Sequence, residues 1–188
     1  MPTQNSILMD MAKASLKGRW PLAIGTFLIY TVIMGSFGAL QKAGVLFLII
    51  AGPMALGAAI FSLNMARGKD VQLEQIFDGF KLFSKALVTH LLMILYIILW
   101  TLLLIIPGII AGLSYSMSFY ILADDPSLKP QEVLEQSKKM MYGYKWKLFG
   151  LCMWFLLLAL LCVLTLGIGF LWLIPFANVT MSKFYEDV

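Results

Sequence analysis

The chain has 188 residues, of which 61% are apolar and only 13% are Asp, Glu, Lys or Arg, and its net charge at pH 7 is +4. Soluble globular domains average about 45–50% apolar and about 25% charged residues, and disordered chains carry little apolar surface. The composition excludes both classes. It indicates an integral membrane protein with a single domain over residues 1–188.

The positions of the charged residues predict six transmembrane helices. Four stretches contain no Asp, Glu, Lys or Arg: 20–41, 43–66, 86–123 and 148–182. Each of the first two fits one helix, because about 20 residues cross the ~30 Å hydrocarbon core. The other two are long enough for two helices each. Near their middles they contain Ile106–Ile109 and Leu166–Gly169, where Pro and Gly favour a turn. We therefore expect an all-α membrane protein with six transmembrane helices arranged as three hairpins.

The same layout predicts the orientation. With six spans, the charged segments 1–19, 67–85, 124–147 and 183–188 all lie on one side, and Lys42 is the single basic residue opposite them. Cytoplasmic loops are enriched in Lys and Arg, so both termini are expected in the cytoplasm. A cleaved signal peptide is the alternative for the first apolar stretch. Asp10 and a helical pattern before that stretch disfavour it.

A charged segment with helical periodicity precedes each predicted hairpin. Their apolar stripes are Ile7, Leu8, Met11 and Ser15; Leu73, Ile76, Phe77, Phe80 and Phe83; and Val133, Leu134, Ser137, Met140, Met141 and Tyr144. Such stripes predict interfacial amphipathic helices with their apolar faces in the acyl boundary. Surface helix, span, turn and span recur in units 5–66, 72–123 and 131–186, which predicts a threefold internal repeat.

Basic and aromatic residues at the predicted span ends are candidates for membrane-interface contacts: Arg19, Trp20, Lys138, Lys139, Lys145, Trp146 and Lys147. The expected partners are the lipid bilayer, anionic lipid headgroups at about 1 kcal/mol per well-placed cation, and other membrane proteins. Nucleic acid is not expected, because the basic residues are spread over three helices and interleaved with acids. Trp154 does not fit an interface belt and is expected to pack inside the bundle.

No catalytic residue, cofactor or metal site is expected, and we do not predict an enzyme. The predicted spans lack Asp, Glu, Lys and Arg, the residues that usually mark proton relays and ion paths. His90 is expected near the interface, satisfied by water or backbone. Asp124 and Asp125 are expected in a turn before Pro126 rather than around a metal. Cys152 and Cys162, about 15 Å apart on one helix, are too distant for a disulfide.

Two functional hypotheses follow from these features. The first is a membrane-organising or accessory subunit without catalysis. The second is a small transporter or lipid-handling protein with a polar path at Ser114, Tyr115 and Ser118 on the fourth span. Pro53 and Pro175 are candidate interruptions of spans two and six, as found at transporter sites. Small residues at spacing four on the second span, Ala51, Ala55 and Ala59, favour close helix packing instead.

Three sequence blocks carry a family resemblance. They are Tyr120–Pro126, Met140–Phe149 and Thr165–Pro175, the last followed by Phe184–Asp187. They resemble an uncharacterised bacterial integral-membrane family, domain of unknown function nine hundred and seventy-five. More distantly, Ile106-Pro107-Gly108 is similar to the membrane domain of some glycerophosphodiester phosphodiesterases, whose catalytic site lies in a separate soluble domain. The resemblance implies a bacterial cytoplasmic membrane protein and provides no catalytic residue.

Overall fold

The computed structural model describes residues 3–39 and 44–188, and in these ranges every regular element is a helix. Lys42, predicted on the side opposite the other basic residues, lies outside the described residues. The helices are α1 (Asn5–Leu16), α2 (Trp20–Ala39), α3 (Gly44–Ala66), a 3₁₀ helix (Leu73–Leu82), α4 (Phe83–Leu103), α5 (Ile105–Tyr115), α6 (Ser118–Asp124), α7 (Pro130–Met140), α8 (Lys145–Leu164) and α9 (Phe170–Asp187). The all-α prediction is confirmed.

Five helical segments are long and apolar enough to cross a membrane: Trp20–Phe37, Gly44–Ala66, Leu73–Leu103, Ile105–Asp124 and Lys145–Leu164. This confirms the class predicted from composition, a membrane protein. The expected sixth span, α9, is not among the five. Its C-terminal part carries Lys183, Glu186 and Asp187, which lower the apolar character of the helix as a whole.

The segments divide into an inner and an outer set. Half of the apolar window of α3 and of the α5–α6 segment is buried in protein, against 17% for α2 and 11% for both the α4 segment and α8. α9 packs against α1 and α3 and buries Val179, Thr180 and Phe184. Trp154 on α8 is 49% exposed, so the prediction that it packs inside the bundle is wrong. It belongs to an outward face.

The two predicted hairpin turns have different outcomes. Between α8 and α9 the chain turns as predicted, with Leu166 and Gly167 at positive φ (52° and 86°). The turn predicted at Ile106–Ile109 is wrong, because the reversal occurs at Leu104, which is extended. Pro107 lies in the first turn of α5, where its missing N–H leaves no helical hydrogen bond unmade. Gly108 instead permits close packing, since a Cβ there would lie 2.1 Å from Thr101 Oγ1 on α4.

The candidate interruptions at Pro53 and Pro175 do not occur. α3 and α9 continue through these prolines. Neighbouring helices in a bundle can satisfy the carbonyl groups that a proline frees. The span that does break is the fourth, where α5 ends at Tyr115 and α6 begins at Ser118. No Pro or Gly marks that position.

The amphipathic helices pack mainly against protein. α1 buries Leu8, Ala12 and Leu16, and α7 buries Val133, Leu134 and Ser137. The expectation that these stripes lie in the acyl boundary is therefore wrong for α7 and for the buried face of α1. Ile7 and Met11 of the predicted α1 stripe are 48% and 43% exposed, so they lie on another face.

The second amphipathic segment folds as a 3₁₀ helix pressed against α3. A Cβ on Gly57 of α3 would lie 1.8 Å from the carbonyl oxygen of Ile76, and one on Gly79 would lie 1.9 Å from that of Pro53. Ile76 is fully buried, whereas Phe77, Phe80 and Phe83 remain exposed on the outer side. Ala51 and Ala59 of the predicted small-residue face are buried, and the tight contacts of α3 with the 3₁₀ helix are made at glycines.

Candidate functional site

Hydrogen bonds and ion pairs connect all four charged segments at one end of the bundle, which we call the charged face. Two clusters described below make some of these contacts. Three further side chains donate to backbone carbonyls: Arg19 to Gly68 and Lys69, Lys85 to Pro126 and Ser127, and Asn5 to Lys147. Residues far apart in sequence therefore meet there.

The first cluster is centred on Arg67, directly after α3. Its Nη1 and Nη2 donate to the two carboxylate oxygens of Asp124 at 2.6 and 2.7 Å, and its Nε donates to Glu186 at 3.0 Å. Tyr185 donates its hydroxyl to Asp124, and Lys183 pairs with Glu186. The hydrogen bond to Asp124 is the main cause that raises the Arg67 pKa above its ordinary value. These five residues, the Arg67 cluster, join the ends of α3, α6 and α9.

The second cluster joins both ends of the described chain. Asp187 accepts hydrogen bonds from the backbone N–H of Thr3 at 3.1 and 3.2 Å, from the Thr3 hydroxyl and from Lys147. Desolvation by burial acts to raise the Asp187 pKa, but the hydrogen bonds from Lys147 and Thr3 outweigh it and lower the pKa. The Lys147 ammonium also lies 5.0 Å from the ring centroid of Phe184. The carboxylate is therefore held in its charged form.

The two adjacent aspartates after α6 have separate roles. Asp125 accepts from the backbone N–H of Ser127 at 3.0 Å and from its hydroxyl, which is the turn predicted before Pro126. The Ser127 hydroxyl is the main cause that lowers the Asp125 pKa. Asp124 instead pairs with Arg67. Among the residues described, no group of three or more His, Cys, Asp or Glu side chains could hold a metal ion.

The predicted polar path is buried and internally bonded. Ser114, Tyr115 and Ser118 are each at most 8% exposed. The Ser114 hydroxyl donates to the carbonyl of Ile110 at 2.7 Å, and the Ser118 hydroxyl donates to that of Tyr115 at 2.8 Å. These hydroxyl donors are thus committed to the helix backbone.

Ser137 of α7 closes the break between α5 and α6. Its hydroxyl donates to the carbonyl of Ser114 at 2.8 Å and accepts from the backbone N–H of Met117 at 3.2 Å. One buried side chain therefore replaces the backbone hydrogen bonds that a continuous helix would make. The sequence pattern placed Ser137 on an apolar stripe. Its hydroxyl, on the same stripe as Val133 and Leu134, was the available sequence signal for a buried polar contact.

His90 is partly buried. Its ring lies 6.1 Å from the ring of Phe119, and its Cβ lies 3.0 Å from where Gly52 would carry a Cβ. The Nδ1 atom is buried and has no hydrogen-bond partner within the described ranges. A backbone partner for this atom is therefore not found there, and the alternative, that water satisfies His90, stays a prediction.

The candidate interface residues fall into three groups. Arg19, Lys139 and Lys147 are engaged, with carbonyl groups, Glu135 and Asp187 respectively. Trp20 packs partly against the core, whereas Trp146 is 83% exposed. Lys138 and Lys145 form no ion pair with any described residue.

Fold and charged face together define a helical membrane protein. Residues 101–188, somewhat less than half of the chain, match the model of a family described as "Protein of unknown function (DUF975)". The matched region begins near the end of α4 and includes Asp124, Ser137 and Glu186. No curated protein and no solved structure matches the chain.

Proposed function

We propose that the chain crosses the membrane six times in three hairpins, with α9 as the sixth span. The contacts among the four charged segments support this arrangement. Segments that meet at one end of the bundle require an even number of crossings between them, and α2–α3, α4–α5–α6 and α8–α9 each supply two. Lys and Arg are enriched on the cytoplasmic side of membrane proteins. The proposal therefore places the charged face and both termini in the cytoplasm.

We also propose that the three hairpins are copies of one unit. In each unit the first long helix is outer (α2, α4, α8) and the second is inner (α3, α5–α6, α9), which agrees with units 5–66, 72–123 and 131–186. The Arg67 cluster supports the proposal, because Arg67, Asp124 and Glu186 each come from the end of one inner helix. A shared cluster at equivalent positions is expected where repeats pack around a common centre.

For function, we propose a non-enzymatic membrane-organising or accessory subunit of the bacterial cytoplasmic membrane, without cofactor or metal. One observation carries this proposal: charged and hydroxyl groups in the described ranges bond mainly to one another or to backbone, while the outward helices present apolar surface. The proposed partners are the bilayer, anionic lipid headgroups and other membrane proteins, and not nucleic acid.

The experiment is mild chemical cross-linking in the native membrane, followed by purification and identification of the captured proteins. The proposal predicts the same membrane-protein partner in repeated captures and its loss when the outer faces of α4 and α8 are altered. Purified protein in liposomes should move neither ions nor lipid above the rate of empty liposomes. Rapid solute flux would contradict the proposal.

A second function is favoured by one observation, the broken fourth span. Discontinuous helices form substrate sites in many transporters. A transporter or lipid-handling protein that used this break should lose its flux in the combined variant Ser114→Ala, Tyr115→Phe and Ser118→Ala while retaining its helical content. Flux that persists in the variant would eliminate this path.

A further inference from the structure

We propose that one anionic phospholipid binds in a groove between α5 and α8, with its phosphate held by Lys138 and Lys145. The proposal rests on the proposed membrane function and names a specific lipid site within it. Three neighbouring cavities, two uncompensated cations and two exposed aromatic rings support it.

The largest cavity of the groove, about 510 Å³, is apolar along its length. Ile106, Ile110 and Leu113 of α5 line one side, and Phe149 of α8 lines the other. Apolar pockets of this size commonly hold lipid-sized or drug-sized ligands. Ile106 to Leu113 extends about 10 Å along the helix, enough to contact a large part of one acyl chain.

A second cavity of about 250 Å³ lies on the other side of Ile110. Its lining includes Trp100 of α4, Tyr115 of α5 and Lys138 of α7. Both cavities are lined by Ile110 and by Lys145. This arrangement fits a molecule with two apolar chains that separate around Ile110 and join beside a cation, which is the shape of a phospholipid.

A third cavity, about 460 Å³, provides the polar end of the site. It is lined by Glu135, Lys138, Lys139 and Tyr142, and so shares Lys138 with the second cavity and Tyr142 with the first. Lys139 is neutralised by Glu135 at 2.8 Å, but Lys138 and Lys145 have no acidic partner in the described part of the chain. The residual charge of the polar end is therefore positive and complementary to a phosphodiester.

Aromatic side chains flank the same opening. Tyr142 is 84% exposed and Trp146 is 83% exposed. Tyr and Trp favour the level of the lipid headgroups, where the ring meets acyl chains and the polar atom meets water. The first turn of α8, which contains Lys145 and Trp146, also directs the positive end of the helix dipole to this level. Chains would then lie in the apolar cavities and the phosphate at the lysines.

The test is native mass spectrometry of the purified protein with phosphatidylglycerol, and with phosphatidylcholine carrying the same acyl chains. We expect the wild type to prefer phosphatidylglycerol, and K138Q/K145Q to reduce that affinity about thirty-fold. K17Q/K81Q removes the same charge from exposed positions outside the groove and should bind as the wild type does. Equal loss in both double variants, or no loss in K138Q/K145Q, would overturn the proposal.

The apolar part of the site has its own test. Ile110→Trp, which fills the junction of the first two cavities, should weaken the binding of both lipids. Leu99→Trp, on the exposed side of α4, should leave the binding of both unchanged. Displacement of bound lipid by soluble glycerol phosphate would show a phosphate site instead of a lipid site. Lipid selectivity together with solute flux would reject the accessory function but not this site. If the protein shows neither solute flux nor lipid selectivity, the lipid site is rejected and the accessory function is not.

Discussion

At the residue scale, glycines fix how closely the 3₁₀ helix approaches α3. Gly57→Ala places a Cβ within 1.8 Å of the Ile76 carbonyl oxygen, and the clash is with backbone, which cannot rotate away. We expect a loss of about 1–3 kcal/mol in the free energy of unfolding, as for overpacked cores. The measurement is denaturant unfolding in detergent micelles.

Gly25→Ala on α2 is the matched control for this prediction. A Cβ there meets nothing within 4 Å. Because Ala favours a helix over Gly by about 1 kcal/mol, the control should leave stability unchanged or raise it slightly. Equal destabilisation by both substitutions would contradict the packing described for Gly57.

Ser137 supports a second prediction at the residue scale. Ser137→Ala leaves the carbonyl of Ser114 and the N–H of Met117 without this partner in a buried position. We expect a cost of about 1–3 kcal/mol in the free energy of unfolding, with faster amide hydrogen exchange at Met117.

Ser36→Ala is the control for Ser137, because the Ser36 hydroxyl is exposed and donates only to a carbonyl of its own helix. Its effect on stability should be within about 0.5 kcal/mol. Unchanged exchange at Met117 in Ser137→Ala would show that the break does not depend on Ser137.

The pH dependence of stability can be assigned in part to Asp187. Its pKa is lower in the folded protein than its ordinary value, so ionised Asp187 stabilises the fold above about pH 4. The contribution is lost as the pH falls through the lowered pKa. Melting curves should therefore show Asp187→Asn less stable than the wild type at pH 7, with the difference vanishing at low pH. A difference that grows on acidification would contradict this assignment.

At the element scale, the Arg67 cluster should couple the ends of the inner helices. A double-mutant cycle with Arg67→Gln and Asp124→Asn should give a coupling of about 1 kcal/mol, because the pair is bidentate and only about one-third exposed. The Lys139–Glu135 pair within α7 is largely exposed, and its cycle should give a smaller coupling because solvent screens the two charges. Equal coupling in the two cycles would show that the cluster is an ordinary surface contact.

Sequence patterns predicted individual elements well where the signal was local. The charge-free stretches gave the apolar helices, and Leu166–Gly169 gave a turn, because Gly167 supplies a positive φ that other residues rarely adopt. Pro107 and Gly108 gave a false turn. The same Pro-Gly sequence is equally consistent with a turn and with a proline in the first turn of a helix followed by a glycine at a helix contact.

Features that depend on long-range packing could not be predicted in this way. Asp124 was expected to bond locally, but its partner Arg67 is 57 positions away. The apolar stripe of α7 was assigned to lipid, since periodicity identifies a buried face without identifying what covers it.

At the scale of the whole molecule, the account depends on three hairpins that return to one charged face. Half of the apolar window of α3 and of the α5–α6 segment is buried in protein, and the ends of α3, α6 and α9 are joined by the Arg67 cluster. α2, α4 and α8 face outward and carry the apolar surface. The lipid groove lies between α5 and α8, where an inner and an outer segment meet.

The most direct test is labelling of single cysteines by a membrane-impermeant reagent in intact cells. In a Cys152→Ala/Cys162→Ala background, Leu166→Cys should react from outside, whereas Ser127→Cys and Val188→Cys should react only after the membrane is opened. Reaction of Ser127→Cys and Val188→Cys from opposite sides, or of Ser127→Cys and Leu166→Cys from the same side, would contradict the three-hairpin arrangement.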